Sequence, residues 1–110
     1  MIHPWQVRST DVDPVTDHDQ DDVRSVLIVS SPLHLRLNLG LQVTVVPVTS
    51  TFRDLRYRIP IESPIGKLYV ITDQVQTIPA ARLTENGPEW TLSGTEIYNV
   101  RRALRLMLDL

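Results

Sequence analysis

The sequence has 110 residues, of which 42% are hydrophobic, so it can build one small core but not two. We therefore expect a single domain over residues 1–110. The absence of cysteine excludes a disulfide framework and a thiolate metal site. The formal net charge of −2 argues against a protein that grips nucleic acid with its whole surface.

No targeting signal is evident in the sequence. The first residues lack a basic segment followed by an apolar run, and no later stretch approaches the ~20 apolar residues that span a membrane. We expect a soluble, cytoplasmic protein with no membrane partner. Because so small a core is thin, pairing with a second copy would hide apolar surface, which favours a dimer.

Short segments rich in β-branched or aromatic residues predict five strands, several of them with period-two alternation. In chain order these segments are Trp5–Arg8, Val26–Ser30, Gln42–Val48, Arg56–Ile61 and Leu68–Thr72. The residues between them, such as Ser31-Pro32, are of turn type, so we expect no helix there and largely antiparallel pairing. Five such strands favour a small closed barrel, because closure removes exposed edges.

The fourth predicted strand alternates between two kinds of residue. Its apolar residues are Tyr57, Ile59 and Ile61, and the residues between and before them are Arg56, Arg58 and Pro60. This alternation predicts one buried face and one exposed face. Because Pro60 cannot donate a hydrogen bond to a neighbouring strand, we expect this strand at an edge of the sheet.

The last part of the chain predicts an amphipathic helix. The sequence Ser93-Gly94-Thr95-Glu96 fits a capping box, in which the Ser93 and Glu96 side chains satisfy free amides of the first turn. Apolar residues then recur at helical spacing. They are Ile97, Val100, Leu104, Met107 and Leu108. This stripe is predicted to face the core or a dimer partner.

Three passages together resemble the MazF/PemK (Kid) family of messenger-RNA interferases, the toxins of type II toxin–antitoxin pairs. The passages are residues 23–30 (VRSVLIVS), 45–50 (VVPVTS) and 69–78 (YVITDQVQTI). They are similar to an arginine opening an apolar strand that ends in serine, a V-P-x-T-S strand end, and a strand running into D-Q-x-x-T-I. Their order and spacing also agree, as does the closing helix.

The resemblance implies an SH3-like antiparallel β-barrel of the CcdB/PemK type with a C-terminal helix. It also implies a homodimer, neutralised by a cognate antitoxin, that cleaves single-stranded messenger RNA at a short sequence without metal or other cofactor. The family's catalytic arginine and threonine correspond to Arg24 and Thr49. A loop histidine and the aspartate of the D-Q motif, here His18 and Asp73, are candidates for the acid or base.

Cleavage without metal uses the ribose 2′-hydroxyl as nucleophile and leaves a 2′,3′-cyclic phosphate. Arg24 suits stabilisation of the phosphorane, because a guanidinium stays cationic and presents a planar fork to two phosphate oxygens. Thr49 can donate a hydrogen bond to a phosphate oxygen, and the His18 imidazole can exchange protons near pH 7. The residues expected to contact RNA are Ser50, Arg53 and Gln74.

Each of these residues also has a purely structural interpretation. Arg24 can be a surface arginine beside aspartates, and Thr49 a hydroxyl that caps a strand end. His18 can be an exposed loop residue, and Asp73 can merely terminate a strand. A group of arginines either lines an RNA groove or forms a solvated face. This group is Arg53, Arg56 and Arg58.

The loop before Arg24 departs from the family pattern. The chain has the acidic stretch 16–22 in place of a glycine-containing loop, and Ser25 where proline is common. The aspartates lack the glycine and glutamate of an EF-hand, so we expect a solvated loop, and a lid over the site is one hypothesis. Trp5 and Trp90 are expected to pack against the barrel rather than stack on bases.

Two other functions remain open at this stage. CcdB-like gyrase poisons share the fold but act through a Trp-Gly-Ile ending, whereas this sequence ends Leu108-Asp109-Leu110. A non-catalytic β-barrel interaction protein is compatible with the acidic balance and the divergent loop. A metal-dependent nuclease is disfavoured, because no histidine and carboxylate residues have ligand spacing in the sequence.

Overall fold

The structure is a computed structural model that describes residues 1–11, 25–85, 87 and 89–110. In chain order its elements are β1 (Gln6–Thr10), β2 (Ser25–Ile28), α1 (Pro32–Leu37), β3 (Gln42–Thr49), β4 (Arg58–Ser63), β5 (Gly66–Ile71), β6 (Gln76–Pro79), β7 (Leu83–Thr84), β8 (Trp90–Thr91) and α2 (Gly94–Leu108). The five predicted strands are confirmed with shifted ends. The strands β6, β7 and β8 have no predicted counterpart, and β7 and β8, with two residues each, are too short to show a period.

Antiparallel pairing holds for all strand pairs among the described residues, as predicted. The order across the sheet is β4-β5-β3-β2-β1-β7, with β6 also pairing β3 and β8 also pairing β1. A mainly β fold with a C-terminal helix is confirmed. The predicted closure is wrong, since no pairing within the described ranges joins β4 to β7. The position of β4 at one edge confirms the prediction made from Pro60.

The open edge of β4 keeps few donors for another strand. Alternate residues of an antiparallel strand turn their amides to the same side, and Arg58, Pro60 and Glu62 turn theirs away from β5. The Arg58 amide donates to the Leu55 carbonyl at 3.0 Å, and Pro60 has no amide hydrogen. The Glu62 amide donates to the Glu96 carboxylate at 2.7 Å. Local partners thus replace the strand that closure would have supplied.

The predicted alternation of β4 fails at Arg58. This residue is buried, with 6% of its surface exposed, so the prediction that it belongs to a solvated face is wrong. Its Nη1 donates to the Thr51 carbonyl at 3.1 Å, and hydrogen bonding of this kind is what makes a buried polar group tolerable. Ile61 is buried as predicted, whereas Ile59 is half-buried.

The helix α1 contradicts the prediction that no helix lies between strands. Ser31 and Pro32 begin this helix instead of forming a turn. The Ser31 Oγ accepts a hydrogen bond from the His34 amide at 3.0 Å, and Pro32 occupies the first turn, where its missing amide costs nothing. The chain leaves the helix through Gly40, whose φ of 72° favours glycine.

Buried side chains form two clusters on opposite faces of the sheet, as period-two alternation requires. The larger cluster consists of Val7, Leu27, Val46, Val48, Ile61, Leu68, Val70, Leu92 and Val100. Since Val100 belongs to α2, this helix covers that face. Trp5 and Trp90 pack against the same cluster, which confirms their predicted role. Leu35 of α1 packs against the smaller cluster on the other face.

The helix α2 begins as predicted. The Ser93 Oγ accepts from the Glu96 amide at 3.2 Å, and the Glu96 carboxylate accepts from the Ser93 amide at 2.9 Å, which completes the capping box. Val100 is fully buried, but Met107 and Leu108 are 41% and 50% exposed. The predicted stripe is therefore core in the middle of the helix and open surface at its end.

Candidate functional site

Some of the predicted site residues lie in the part of the chain that the structure describes, and the others do not. Arg24, His18 and the acidic stretch 16–22 lie outside the described residues, and their roles stay predictions. The predicted site residues that the structure describes are Thr49, Ser50, Arg53, Asp73 and Gln74. They occupy two places in the fold, which are the end of β3 with the following loop and the turn after β5.

The end of β3 lies beside the start of β2. Ser25, the first residue of β2, pairs with Val48, and Thr49 pairs with Tyr69 of β5. These pairings place Thr49 between two strands, where its side chain is fully buried, with 0% exposure. Ser25 and Val26 therefore lie beside Val48 and Pro47 at one end of the sheet.

Thr49 is tied to the buried Arg58 through the loop between them. The Thr49 Oγ1 accepts a hydrogen bond from the Thr51 amide at 3.2 Å, a local bond typical of a hydroxyl at a strand end. The Thr51 carbonyl accepts from the Arg58 guanidinium at 3.1 Å. A buried cation thus holds the backbone that contacts the Thr49 hydroxyl. The sequence left Arg58 undecided, because a single arginine in an alternating strand does not show which way it turns.

An aromatic pair includes Tyr69, the β5 residue that pairs with Thr49. Phe52 and Tyr69 make an edge contact, with ring centroids 5.6 Å apart and an interplanar angle of 64°. Phe52 is nevertheless 65% exposed, which is unusual for a side chain of its kind. It is the only phenylalanine in the sequence, and its place between Thr51 and Arg53 in a polar loop was the available signal. Sequence reasoning missed it.

The turn that carries Asp73 is offset from Thr49 along the sheet. From Tyr69, β5 runs on to Ile71 before the turn, so the offset exceeds two strand residues, or about 7 Å. Asp73 is exposed and Gln74 is half-buried. The register therefore does not pair the predicted threonine with the predicted aspartate.

The loop of residues 50–57 connects the two parts of the site. It begins at the exposed Ser50 and ends at Tyr57, whose carbonyl accepts from both the amide and the hydroxyl of Thr72, at 2.9 and 2.7 Å. Thr72 is fully buried and immediately precedes Asp73. One loop with Arg53 exposed near its middle thus runs from the end of β3 to the D-Q turn.

A metal centre has no candidate in the described part of the chain. Among these residues, no group of three or more histidine, aspartate or glutamate side chains is placed to hold a metal ion. The described helices also include none that is long and apolar enough to cross a membrane. The described residues of the site offer hydroxyls, guanidinium groups, an aromatic ring, the Asp73 carboxylate and the Gln74 amide.

The fold and site define a small antiparallel β protein with a C-terminal helix and a polar loop over one strand end. Residues 3–108 match the family model described as PemK-like, MazF-like toxin of type II toxin–antitoxin system. The chain belongs to this toxin family, which confirms the resemblance seen in the sequence. No curated protein matches the sequence.

Solved structures with this fold include proteins from Mycobacterial species and from Deinococcus radiodurans. An endoribonuclease in complex with its cognate antitoxin, from Mycobacterial species, has a TM-score of 0.77 and 20% identity, covering 100% of this chain and 97% of that chain. The Mycobacterium tuberculosis toxin MazF-mt6 has a TM-score of 0.69 and 26% identity, covering 94% and 96%. MazF from Deinococcus radiodurans has a TM-score of 0.74 and 16% identity, covering 97% and 96%.

Proposed function

We propose that this toxin is an endoribonuclease that cleaves single-stranded messenger RNA at a specific short sequence without a metal ion. The observation that carries the proposal is the meeting of two strand ends. Ser25 pairs with Val48, and these residues are the chain neighbours of Arg24 and Thr49, the two positions that match the family's catalytic pair. RNA cleavage is inferred from membership of the toxin family, and arginine and threonine are residue types that suit this reaction.

The proposed reaction needs no covalent attachment to the protein. The ribose 2′-hydroxyl attacks the adjacent phosphorus, the bond to the 5′-oxygen breaks, and the products carry a 2′,3′-cyclic phosphate and a 5′-hydroxyl. Arg24 stabilises the charge of the phosphorane, since such stabilisation contributes most when the donor is held in place beforehand. His18 or Asp73 serves as acid or base.

In this scheme the Thr49 hydroxyl donates a hydrogen bond to a phosphate oxygen. That hydroxyl also accepts a hydrogen bond from the Thr51 amide, which orients it at the strand end. Because Thr49 is fully buried, the groups that cover it must move before RNA contacts it. The neighbouring Ser50 hydroxyl is exposed and needs no such movement.

The loop of residues 50–57 is the proposed RNA-binding surface. Single-stranded RNA is commonly recognised by stacking of splayed bases on aromatic side chains. The exposed ring of Phe52, which makes an edge contact with Tyr69, offers such a platform. Ser50 and Arg53 in the same loop, with Gln74 in the following turn, supply polar contacts to the RNA.

A cognate antitoxin and a second copy of this chain are the proposed partners. The Mycobacterial endoribonuclease with this fold was solved with its antitoxin, which supports the first partner. Exposed leucines in one segment support the second, because a partner usually covers such side chains. Their exposed fractions lie between 55% and 84%, and they are Leu33, Leu37, Leu39 and Leu41. Light scattering should give twice the 12.5 kDa chain mass.

The proposal is tested by incubating the purified protein with a long single-stranded RNA in EDTA and sequencing the cut ends. We expect cuts at one short recurring sequence, each with a 2′,3′-cyclic phosphate. Folded protein that binds RNA or antitoxin and never cuts would favour a non-catalytic interaction protein. Inhibition of gyrase without RNA cleavage would favour a CcdB-like poison.

A further inference from the structure

A cavity lies where the segment before β1, the start of α1 and the second half of α2 meet. It has a volume of 270 Å³, just below the range of about 300–1,000 Å³ that is usual for ligand pockets. Trp5, Val29 and Leu104 belong to its apolar wall, and two serines and two arginines are its polar lining residues. This size suits a small molecule rather than a strand or helix of another chain.

Trp5 lines the cavity from an uncommon backbone conformation. Its φ is 67°, in the left-handed region that bulky residues rarely adopt. Its amide donates to the Ile28 carbonyl at 2.7 Å, and its carbonyl accepts from the Leu92 amide at 3.0 Å, so two backbone hydrogen bonds hold this conformation. Strained backbone that the surrounding structure holds in place occurs preferentially at ligand sites. The indole also packs against the larger core cluster, which fixes this wall of the cavity.

Arg101 and Arg105 bring positive charge to the cavity from one face of α2. They are four residues apart on the helix, so their side chains are neighbours, and both are exposed. Neither guanidinium is paired with a carboxylate of the described residues, and no described side chain that lines the cavity is acidic. Arg101 lies over the Trp5 ring, with Cζ 5.5 Å from the ring centroid. Like charges at this spacing repel each other, and an anion between them would offset that repulsion.

The two serine hydroxyls of the cavity already have hydrogen-bond partners. The Ser30 Oγ accepts from the Thr44 amide at 2.7 Å and lies 2.8 Å from the His34 Nδ1. The Ser31 Oγ accepts from the His34 amide at 3.0 Å. A ligand with many hydroxyl or amide groups would find few partners for them here, and unpaired polar groups are costly to bury. The lining therefore favours a ligand with one anionic group on an otherwise apolar body.

We propose that this cavity binds a small organic acid, with its carboxylate between Arg101 and Arg105 and its apolar body against Trp5 and Leu104. The planar fork of a guanidinium matches the two oxygens of a carboxylate. The inference goes beyond the proposed function and does not depend on RNA cleavage. Because α1 and α2 both contribute to the cavity, an occupant connects these two helices. A ligand that binds only the folded chain also raises its Tm.

The test uses Trp5 as a reporter, because the sequence contains only two tryptophans. In the variant Trp90→Phe, Trp5 is the sole tryptophan, and its fluorescence is followed during titration. The probes are octanoate, octylamine with the same chain and the opposite charge, inorganic phosphate and a single-stranded RNA oligonucleotide. The unsubstituted protein is titrated in parallel by isothermal calorimetry, so the result does not depend on the folding of the variant.

We expect saturable binding of octanoate only. Arg105→Met should weaken it by about tenfold or more, the loss expected when one charged donor is removed, whereas Arg102→Met, which removes an exposed arginine outside the cavity, should leave it unchanged. Equal binding of octylamine, equal effects of the two methionine variants, or tighter binding of phosphate or RNA would overturn the proposal. So would the absence of octanoate binding in both measurements. Neither measurement involves RNA cleavage, so failure here is distinct from failure of the proposed function.

Discussion

The carboxylate of Glu96 accepts a hydrogen bond from the backbone amide of Glu62 at 2.7 Å, which joins the first turn of α2 to the edge strand β4. The other oxygen of the same carboxylate accepts from the Ser93 amide at 2.9 Å. One side chain thus satisfies a donor of a helix terminus and a donor of a sheet edge. Neither donor has its partner within its own regular element, so the loss of both bonds should be measurable.

Replacing Glu96 by alanine should lower the free energy of unfolding by about 1–2 kcal/mol, because a capping bond and an edge-strand bond are lost together. The matched control is Glu62→Ala, which keeps the amide and removes only the exposed carboxylate that lies 3.6 Å from Lys67. That exposed pair contributes about 0–1 kcal/mol. Urea unfolding measures both variants. Equal losses for the two would mean that the Glu96 bridge does not stabilise the fold.

Replacing Thr49 by valine should reduce the RNA cleavage rate by about 10²-fold or more, the usual effect of removing one donor to a charged transition state. Thr49→Ser, which keeps the hydroxyl, should retain most of the rate. Thr44→Val is the control on the same strand, since the Thr44 hydroxyl bonds to the Thr77 hydroxyl at 2.8 Å on another part of the sheet. Single-turnover kinetics give the rates. Normal cleavage by Thr49→Val would remove Thr49 from the mechanism.

Replacing Arg58 by methionine should loosen the backbone after Thr49. A hydrogen bond to a charged group contributes about 1.5–3 kcal/mol, and the variant leaves the Thr51 carbonyl without this donor. We expect lower stability and a kcat that falls more than KM changes, because the hydroxyl of Thr49 is less well held. Arg56→Met, which removes an exposed arginine from the same loop, should preserve both stability and kcat. A rise in KM alone would instead make Arg58 an RNA contact.

Replacing Phe52 by alanine should weaken RNA binding by about 1–3 kcal/mol, the usual contribution of one base stacked on an aromatic ring. Weaker binding should raise KM and leave kcat nearly constant. Phe52→Tyr should restore binding. Ile65→Ala is the control, because Ile65 and Phe52 are both 65% exposed. Fluorescence anisotropy with an uncleavable RNA measures the affinity. Equal weakening by the two alanine variants would show only a general loss of apolar surface.

The elements that the sequence predicted well are those with a sustained local pattern. The strand β3 is a segment of eight residues that includes four valines, and α2 has both a capping box and an apolar stripe. The helix α1 has six residues, too few for a helical period, although Ser31 and Pro32 are good residues for its start. This segment was predicted as a turn because it is short, and not because its residues disfavour a helix.

The errors concern partners that are distant in the sequence. Closure of the barrel was expected because an open edge is unfavourable. At the edge of β4, however, the Glu62 amide donates to the carboxylate of Glu96, which is 34 residues away in the sequence. Arg58 was expected in a groove or on a solvated face, and its burial depends on the loop that brings Thr51 to it. Motif matching marked Thr49 and Asp73, and the roles of both residues stay predictions.

The most direct test of the central claim uses an oligonucleotide that carries the mapped cleavage sequence and a matching oligonucleotide in which the nucleotide before the cut lacks only its 2′-hydroxyl. Both are incubated with the toxin in EDTA, and binding is measured separately by anisotropy. The account predicts that both bind with similar affinity and that only the intact oligonucleotide is cut, leaving a 2′,3′-cyclic phosphate. Cleavage of the 2′-deoxy substrate at a comparable rate would contradict the proposed mechanism, because another nucleophile would then have attacked the phosphorus.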